Sequence, residues 1–226
     1  VKIATKFIKK FKVEHNVVTT QIEPHDWIAE TCHALIRVNN IVNDLNNDMW
    51  MYIANDIFSL KTIKDEVGSS TMPHKVNPID FENSEGNIGL ANSMLNFFAE
   101  KLPISRLQRD LSDSTTLRNI GVAFGYSVIS YKSTLKGLQK IAPNKNKINE
   151  ELDNNWIVLS EAVQTIMRLE NIENAYEKLK DLTRGKNLNK EQYLEFIENL
   201  DVTQKNKDYL KSLNPRNYIG VAPKLK

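Results

Sequence analysis

Eleven residues, Gly68 to Pro78 (GSSTMPHKVNP), hold the densest reactive functionality in the chain. Two hydroxyls, Ser69 and Ser70, follow a glycine, and Lys75 and Asn77 stand two residues apart. An ammonium and a carboxamide beside hydroxyls suit carboxylate oxygens, through charge-assisted and neutral hydrogen bonds. A serine in such a loop could remove a proton only if nearby donors stabilised its alkoxide, because general acid–base groups work best near the operating pH. The same residues would also serve as a plain loop feeding a helix that begins at Pro78.

A second group is Arg109, Ser114 and Arg118. Ser114 and Arg118 are four apart and share a helical face. With Ser112 or Ser114 as N-cap, the amides of Thr115 and Thr116 would point out of a helix start. Those amides, a hydroxyl and two guanidiniums make an anion site suited to phosphate. The alternative is a solvated charged face in which Arg109 pairs with Asp110 or Asp113. A third stretch is TTQIEPHDW, Thr19 to Trp27. Gln21 could read an amide or a carboxylate, or simply be exposed. His25 and Asp26 fall in a first helical turn, where the dipole favours aspartate.

Other chemistries find little support. His15, His25, His33 and His74 show no HExxH or Cys/His ligand spacing, so neither a metal nor a cofactor is expected. Cys32 reads as a packed thiol. The chain has no GxxxxGK[ST] phosphate loop and no GxSxG elbow. Trp27, Trp50 and Trp156 are not interleaved with basic clusters, so a nucleic-acid partner is not expected.

The elements that must position these residues read as helices, because glycine (8) and proline (7) are scarce. From Pro24 to Leu60, apolar residues at Ile28, Leu35, Val38, Val42, Leu45, Met49, Ile53 and Ile57 keep helical spacing. Such a helix would exceed about 50 Å, a length that belongs to a bundle. Lys61 to His74 reads as a loop of about a dozen residues, a length often tied to function. Pro78 opens a second helix to Lys101, with Phe81, Ile88, Leu95 and Phe98 on its apolar side. A polar bridge after Pro103 leads to a third, Ser112 to Lys140, with Leu117, Ile120, Phe124, Val128, Tyr131, Leu135 and Leu138.

IAPNKNK (141–147) marks the best boundary, dividing the chain into 1–140 and 141–226. Beyond it, shorter helices are expected near 148–169, 173–183, 189–200 and 203–213, with Asn189 and Gln192 placed as a capping box. Only Val17–Ile22 hints at a strand. The expected fold class is all-α, a long-helix bundle followed by a small helical domain.

Composition narrows the function classes. Of 226 residues, 41% are hydrophobic and 26% charged, enough for a sizeable core. Mean hydropathy is −0.43, and no uncharged apolar run approaches the roughly 18 residues of a spanning helix, so no membrane partner is expected. The basic first residues carry no long apolar segment and do not read as a secretory signal. One cysteine excludes an intramolecular disulfide, and the cytoplasm is the expected location. Thirty basic residues against 28 acidic ones give +2, too balanced to imply a polyelectrolyte partner.

GSSTMPHKVNP resembles the signature of the fumarase/aspartase superfamily, whose members eliminate fumarate from a succinyl-bearing substrate. Its continuation IDFENSEGN, with TTQIEPHD, LPISRLQRDLSDSTTLRN and YEKLKDLTRGK, is similar to the bacterial adenylosuccinate lyases within it. The likeness runs from about residue 17 to 220. It implies a carbon–nitrogen lyase of purine biosynthesis that releases fumarate by β-elimination from adenylosuccinate, giving AMP, or from the succinyl-aminoimidazole carboxamide ribotide. Ser69 then matches the base that takes the Cβ proton. Lys75 and Asn77, with Ser70 and Val76, match the holders of the succinyl carboxylates. Glu82 matches the acid that orients a partner histidine, and Asn83 and Gln21 match substrate contacts. Arg109 with Ser114, Thr115, Thr116, Leu117 and Arg118 matches the phosphate site. The resemblance also implies a homotetramer with active sites shared between subunits.

One element of the family pattern is missing: no HTHGQPAT-like segment, which carries the general-acid histidine, occurs here. The expectation is therefore that the chain starts inside the central bundle, with Val1 at a cut, and is inactive without the other half. Two rivals remain at this point, another fumarate-releasing lyase of the superfamily and a helical scaffold without chemistry.

Overall fold

In the computed structural model, residues 1–61, 77–174, 177, 179–180 and 188–225 are described, and the chain divides into two units, Val1–Ala142 and Pro143–Lys226. The first unit opens with helix α1 (Lys2–Lys9), which buries none of its residues. It continues through α2 (Asp26–Ala54), strand β1 (Phe58–Leu60), α3 (Ile79–Lys101), α4 (Ser112–Leu117) and α5 (Ile120–Lys140), and ends in β2 (Ile141–Pro143). The loop expected over Lys61–His74 falls almost wholly outside the described residues.

Helix α3 is the centre of this unit and packs on both α2 and α5. Phe81, Ser84, Ile88, Ala91, Leu95 and Phe98 alternate three and four residues apart and are all buried, which is the seam of a left-handed bundle. The apolar side expected for this helix is the side it buries.

Helix α5 corrects the expectation. Its buried line is Ala123, Ser127, Ser130, Thr134 and Gly137, whereas Phe124, Val128 and Leu135 are exposed. Small residues let the helices approach closely: a Cβ on Gly137 would lie 2.8 Å from the Phe81 ring. Helix α2 keeps Ile28 and Leu35 of its expected stripe on the core, but farther along it buries Asn39 and Asn46 and exposes Val38.

The buried amides are satisfied across the helices. Asn46 Nδ2 donates to Ser84 Oγ at 2.9 Å, Thr134 Oγ1 donates to Asn46 Oδ1 at 2.8 Å, and Ser84 and Thr134 share a 2.8 Å bond. Asn39 Nδ2 donates to Asn92 Oδ1 at 2.8 Å and Ser127 Oγ at 3.1 Å, and its Oδ1 accepts from the Tyr131 hydroxyl. Each network lets polar groups sit inside without the cost of an unmade bond.

Three further boundaries differ from expectation. Helix α2 begins at Asp26, with His25 rather than a proline-led first turn before it, and ends at Ala54 rather than near Leu60. Asp56, at φ +59°, turns the chain so that β1 pairs with β2. The helix expected from Ser112 to Lys140 is interrupted between Leu117 and Ile120. There Thr116 Oγ1 donates to the Ser112 carbonyl and Asn119 Nδ2 to that of Thr115, both at 3.0 Å. Side chains that bond local carbonyls compete with helix continuation. Val17–Ile22 is not a strand; its Gln21 amide donates to the Gln108 carbonyl at 3.2 Å.

Both flanks of 62–76 are tied to the end of α5. The Lys61 amide donates to the Lys140 carbonyl at 2.8 Å. The Lys140 ammonium is bonded to Asp80 in the first turn of α3, Lys136 lies 3.2 Å from the same carboxylate, and Ser133 Oγ donates to the Asp80 carbonyl at 2.8 Å. Cys32 is buried with Ile28, Leu95, Phe98 and Ala123, and that burial pushes its thiol pKa up.

The second unit holds α6 (Lys145–Asp153), a 3₁₀ turn (Trp156–Leu159), α7 (Ser160–Leu169), α8 (Lys190–Glu198) and α9 (Gln204–Ser212). The capping box is present as expected: Gln192 N donates to Asn189 Oδ1 at 2.8 Å and Asn189 N to Gln192 Oε1 at 3.1 Å. Leu159, Val163, Met167, Tyr193, Ile197 and Leu210 form its core. Most of the helix expected at 173–183 lies outside the described residues. The chain is mostly helical, in line with the all-α reading apart from the short β1–β2 pair. No helix among the described residues is long and apolar enough to cross a membrane.

Candidate functional site

Ser69, Ser70, Lys75 and Val76 lie outside the described residues, so the geometry of the site is that of its surroundings. Asn77 is half-buried and lines a small pocket with Lys61, Asp80, Phe81, Gly137 and Lys140. Glu82, exposed in the first turn of α3, accepts from Trp50 Nε1 at 3.1 Å. Asn83 Nδ2 donates to Ser133 Oγ at 3.0 Å while its Oδ1 accepts from Asn87 Nδ2, also at 3.0 Å. Trp50 thus holds Glu82 at the surface, and Ser133 holds Asn83 against α5.

The second cluster joins the segment before α2 to the segment around α4. Gln21 is exposed, and its backbone is held by Gln108, the residue before Arg109. The Arg109 guanidinium reaches Asp113 Oδ2 at 3.6 Å through Nε and donates from Nη2 to Ser114 Oγ at 3.4 Å. Asp113 Oδ1 accepts from the Ser114 amide at 2.6 Å and from its hydroxyl at 3.2 Å. Burial pushes the Asp113 carboxyl pKa up, but these bonds and the charges of Arg109 and His25 outweigh that and leave it below its usual range.

Two details of the helix start differ from the sequence reading. The N-cap of α4 is Leu111, and neither Ser112 nor Ser114 caps it through a side chain. Asp110 takes the Ser112 amide at 2.8 Å and pairs with Arg106, not with Arg109. Within 114–118, Ser114 is half-buried and Thr115 and Arg118 are exposed. Thr116 is buried with its hydroxyl on the Ser112 carbonyl, and Leu117 packs on the Ile28–Cys32 core. The outward polar groups of the turn are therefore Arg109, Ser114, Thr115 and Arg118.

Sequence reasoning overlooked two members of this cluster. Glu23 accepts from the His25 amide at 2.9 Å through Oε2 and from His25 Nδ1 through Oε1. Burial raises its pKa, and the stronger effect of the His25 and Trp27 hydrogen bonds brings it down overall. His25 Nε2 in turn faces Asp113 Oδ2 at 3.8 Å. The pair is separated by 88 positions in the chain, and no local pattern signals it. Glu23 with Gln21, His15, Asp26 and Trp27 also lines an open cleft beside α1. The half-buried Arg109 and Ser114 with the exposed Thr115 and Arg118, on a turn held by a buried carboxylate, are suited to a phosphate-sized anion.

Residues 105–219 match the family described as Adenylosuccinate lyase C-terminal, and residues 2–91 match the family described as Lyase. The chain is 54% identical over 217 residues to the adenylosuccinate lyase of Escherichia coli (strain K12), covering 96% of this chain and 48% of that protein. It is 54% identical over 223 residues to that of Buchnera aphidicola subsp. Schizaphis graminum, covering 99% of this chain and 49% of the relative. For that of Haemophilus influenzae the identity is 53% over 224 residues, with the same coverage of 99% and 49%. The chain thus spans about half the length of the curated relatives it matches.

Proposed function

This chain belongs to the adenylosuccinate lyase family, and from that membership we propose that it supplies the base and the phosphate anchor of a carbon–nitrogen lyase. The reaction is β-elimination of fumarate from adenylosuccinate, giving AMP, and from the succinyl-aminoimidazole carboxamide ribotide, as a step of purine biosynthesis. Ser69 takes the proton from Cβ of the succinyl group. The electron pair forms the fumarate double bond, the C–N bond breaks, and the leaving nitrogen takes a proton from a histidine in the half not present here. Lys75 and Asn77, with Ser70 and Val76, hold the succinyl carboxylates, where donors aimed at the developing aci-carboxylate lower the barrier most. Glu82 orients the acid histidine. Asn83 and Gln21 contact the substrate, and Arg109, Ser114, Thr115 and Arg118 bind its phosphate, with Thr116 and Leu117 contributing backbone only.

The observation that carries this reading is the Arg109–Asp113–Ser114 cluster, which fixes a guanidinium and a hydroxyl beside the Gln21 segment. A homotetramer with shared active sites is part of the proposal. It is supported by the apolar residues that α2 and α5 leave exposed, such as Ile41, Val128 and Leu135. The buried free thiol of Cys32 suits work in the cytoplasm.

The test joins this chain to the amino-terminal half of the Escherichia coli relative as one subunit and follows loss of adenylosuccinate absorbance. Turnover by the joined subunit, its loss in Ser69→Ala, and negligible turnover by the chain alone are expected. A joined subunit that folds and assembles without turnover, or unchanged turnover in Ser69→Ala, overturns the reading.

A further inference from the structure

The two buried nitrogens nearest the proposed phosphate anchor, His25 Nε2 and Arg109 Nε, each lack a hydrogen-bond partner. Both face one oxygen: Asp113 Oδ2 lies 3.8 Å from the histidine nitrogen and 3.6 Å from the arginine nitrogen. Asp113's other oxygen is already taken by Ser114. One buried carboxylate oxygen therefore stands between two donors and is close-bonded to neither. We propose that His25 is a positioning residue for Arg109: it is the standby donor that satisfies Asp113 when Arg109 turns its guanidinium toward a phosphate.

An arginine that recognises phosphate must be aimed, and a neighbouring carboxylate aims it. The same carboxylate opposes its departure, because a buried charge left without a partner is strongly unfavourable. A second donor at the same oxygen removes that opposition. With His25 in place, Asp113 exchanges one partner for another, and Arg109 is released to the anion.

His25 is held for this purpose by more than packing. Only 11% of its side chain is exposed, and 9% of that of Asp113. Its backbone sits at φ +58°, in the left-handed region that non-glycine residues rarely adopt. Glu23 secures that conformation by accepting from the His25 amide and from Nδ1 together. With Nδ1–H donated to Glu23, Nε2 faces Asp113, and it donates there when both ring nitrogens carry a proton. The His25 carbonyl meanwhile accepts from Ile28 N at 3.1 Å and Ala29 N at 3.2 Å, so the ring's position is locked to the start of α2. A histidine serving only as a core residue needs neither the strained backbone nor the two-point hold.

The inference rests on reading Arg109 as a phosphate anchor, and its test separates the two. In the joined subunit, AMP and adenosine are titrated against the unsubstituted protein, His25→Ala, His25→Gln, Asp113→Asn and the His25→Ala/Asp113→Asn pair. His25→Ala is expected to weaken AMP at least tenfold while leaving adenosine within about twofold, and His25→Gln, which keeps an N–H donor, recovers most of the loss. On the Asp113→Asn background no charge is left to satisfy, so His25→Ala should have no further effect on AMP. Equal weakening of AMP and adenosine, no weakening of either, or an undiminished loss on the Asp113→Asn background would overturn the role. Thermal unfolding of each variant runs alongside. If His25→Ala does not fold, His25→Leu, which fills the same space without a donor, takes its place in the comparison with and without Asp113→Asn. Failure of the unsubstituted subunit to prefer AMP over adenosine instead removes the phosphate anchor itself, and this inference with it.

Discussion

Where α2, α3 and α5 meet, Asn39, Asn46, Ser84, Ser127, Ser130 and Thr134 are buried among aliphatic and aromatic side chains from α3. The unit from Pro143 onward encloses Leu159, Val163, Met167, Ile197 and Leu210, and the Tyr193 hydroxyl, buried among them, donates to the Leu210 carbonyl at 2.9 Å. The bundle also leaves Ile41, Leu90, Phe97, Val128 and Leu135 exposed. Two ways of using the same residue types thus coexist in one chain. The smaller unit puts apolar groups inside by default, because burial removes them from water in proportion to area. The bundle fixes helix register with polar bonds and keeps apolar surface outside, where on the proposed assembly other subunits would cover it.

The largest expected effect falls on the apolar core. Leu210 is completely buried, and Leu210→Ala should destabilise the second unit by about 2–5 kcal/mol, the sum of lost transfer energy and a cavity. Urea unfolding followed by Trp156 fluorescence reads it, because that ring lies 5.5 Å from the core residue Tyr193. A loss well below that range would mean that this core collapses around small voids, and the contrast with the bundle would weaken.

Asn46→Ala is expected to cost less, about 1–3 kcal/mol, and for a different reason: Ser84 and Thr134 would keep buried hydroxyls short of a partner. The triple change Asn46→Ala, Ser84→Ala and Thr134→Val removes all three members of the ring and should regain part of that loss. Chemical denaturation of the joined subunit, followed through Trp50 beside Glu82, measures both. If the triple variant is as unstable as the sum of its single changes, the ring acts through packing and not through satisfied polarity.

This difference also explains what could be read before the structure. Helix α3 was legible because its buried residues are largely apolar and the helical spacing of its apolar side is the spacing of its core. The capping box at Asn189 was legible because its partners are three residues apart. Helix α5 misled, and α2 did beyond Leu35: both have an apolar stripe at helical spacing, but close packing through small residues brings serine and asparagine positions to the interior. Arg109 and Ser114 could be paired from their proximity in sequence, whereas Glu23, His25 and Asp113 could not. That joint depends on a left-handed residue and on a contact across 88 positions. The Asp80–Lys140 pair, 60 positions apart, was hidden for the same reason.

The smallest expected effect on stability is the sharpest probe of the outward face. Leu135 is 59% exposed and aligned with Val128 and Phe124 on α5. Leu135→Glu should change the unfolding free energy of the separate folded chain by no more than about 0.5 kcal/mol, as surface substitutions usually do. In the joined subunit the same change places a charge where the proposed assembly needs apolar contact, and uncompensated burial of a carboxylate is costly. Sedimentation velocity should then show the tetramer replaced by smaller species while far-UV circular dichroism of the helices is retained. A tetramer that persists with Glu at position 135 would remove this part of α5 from the interface. An unfolding energy that falls by several kcal/mol would instead place Leu135 in the interior of the unit and erase the distinction between its two faces.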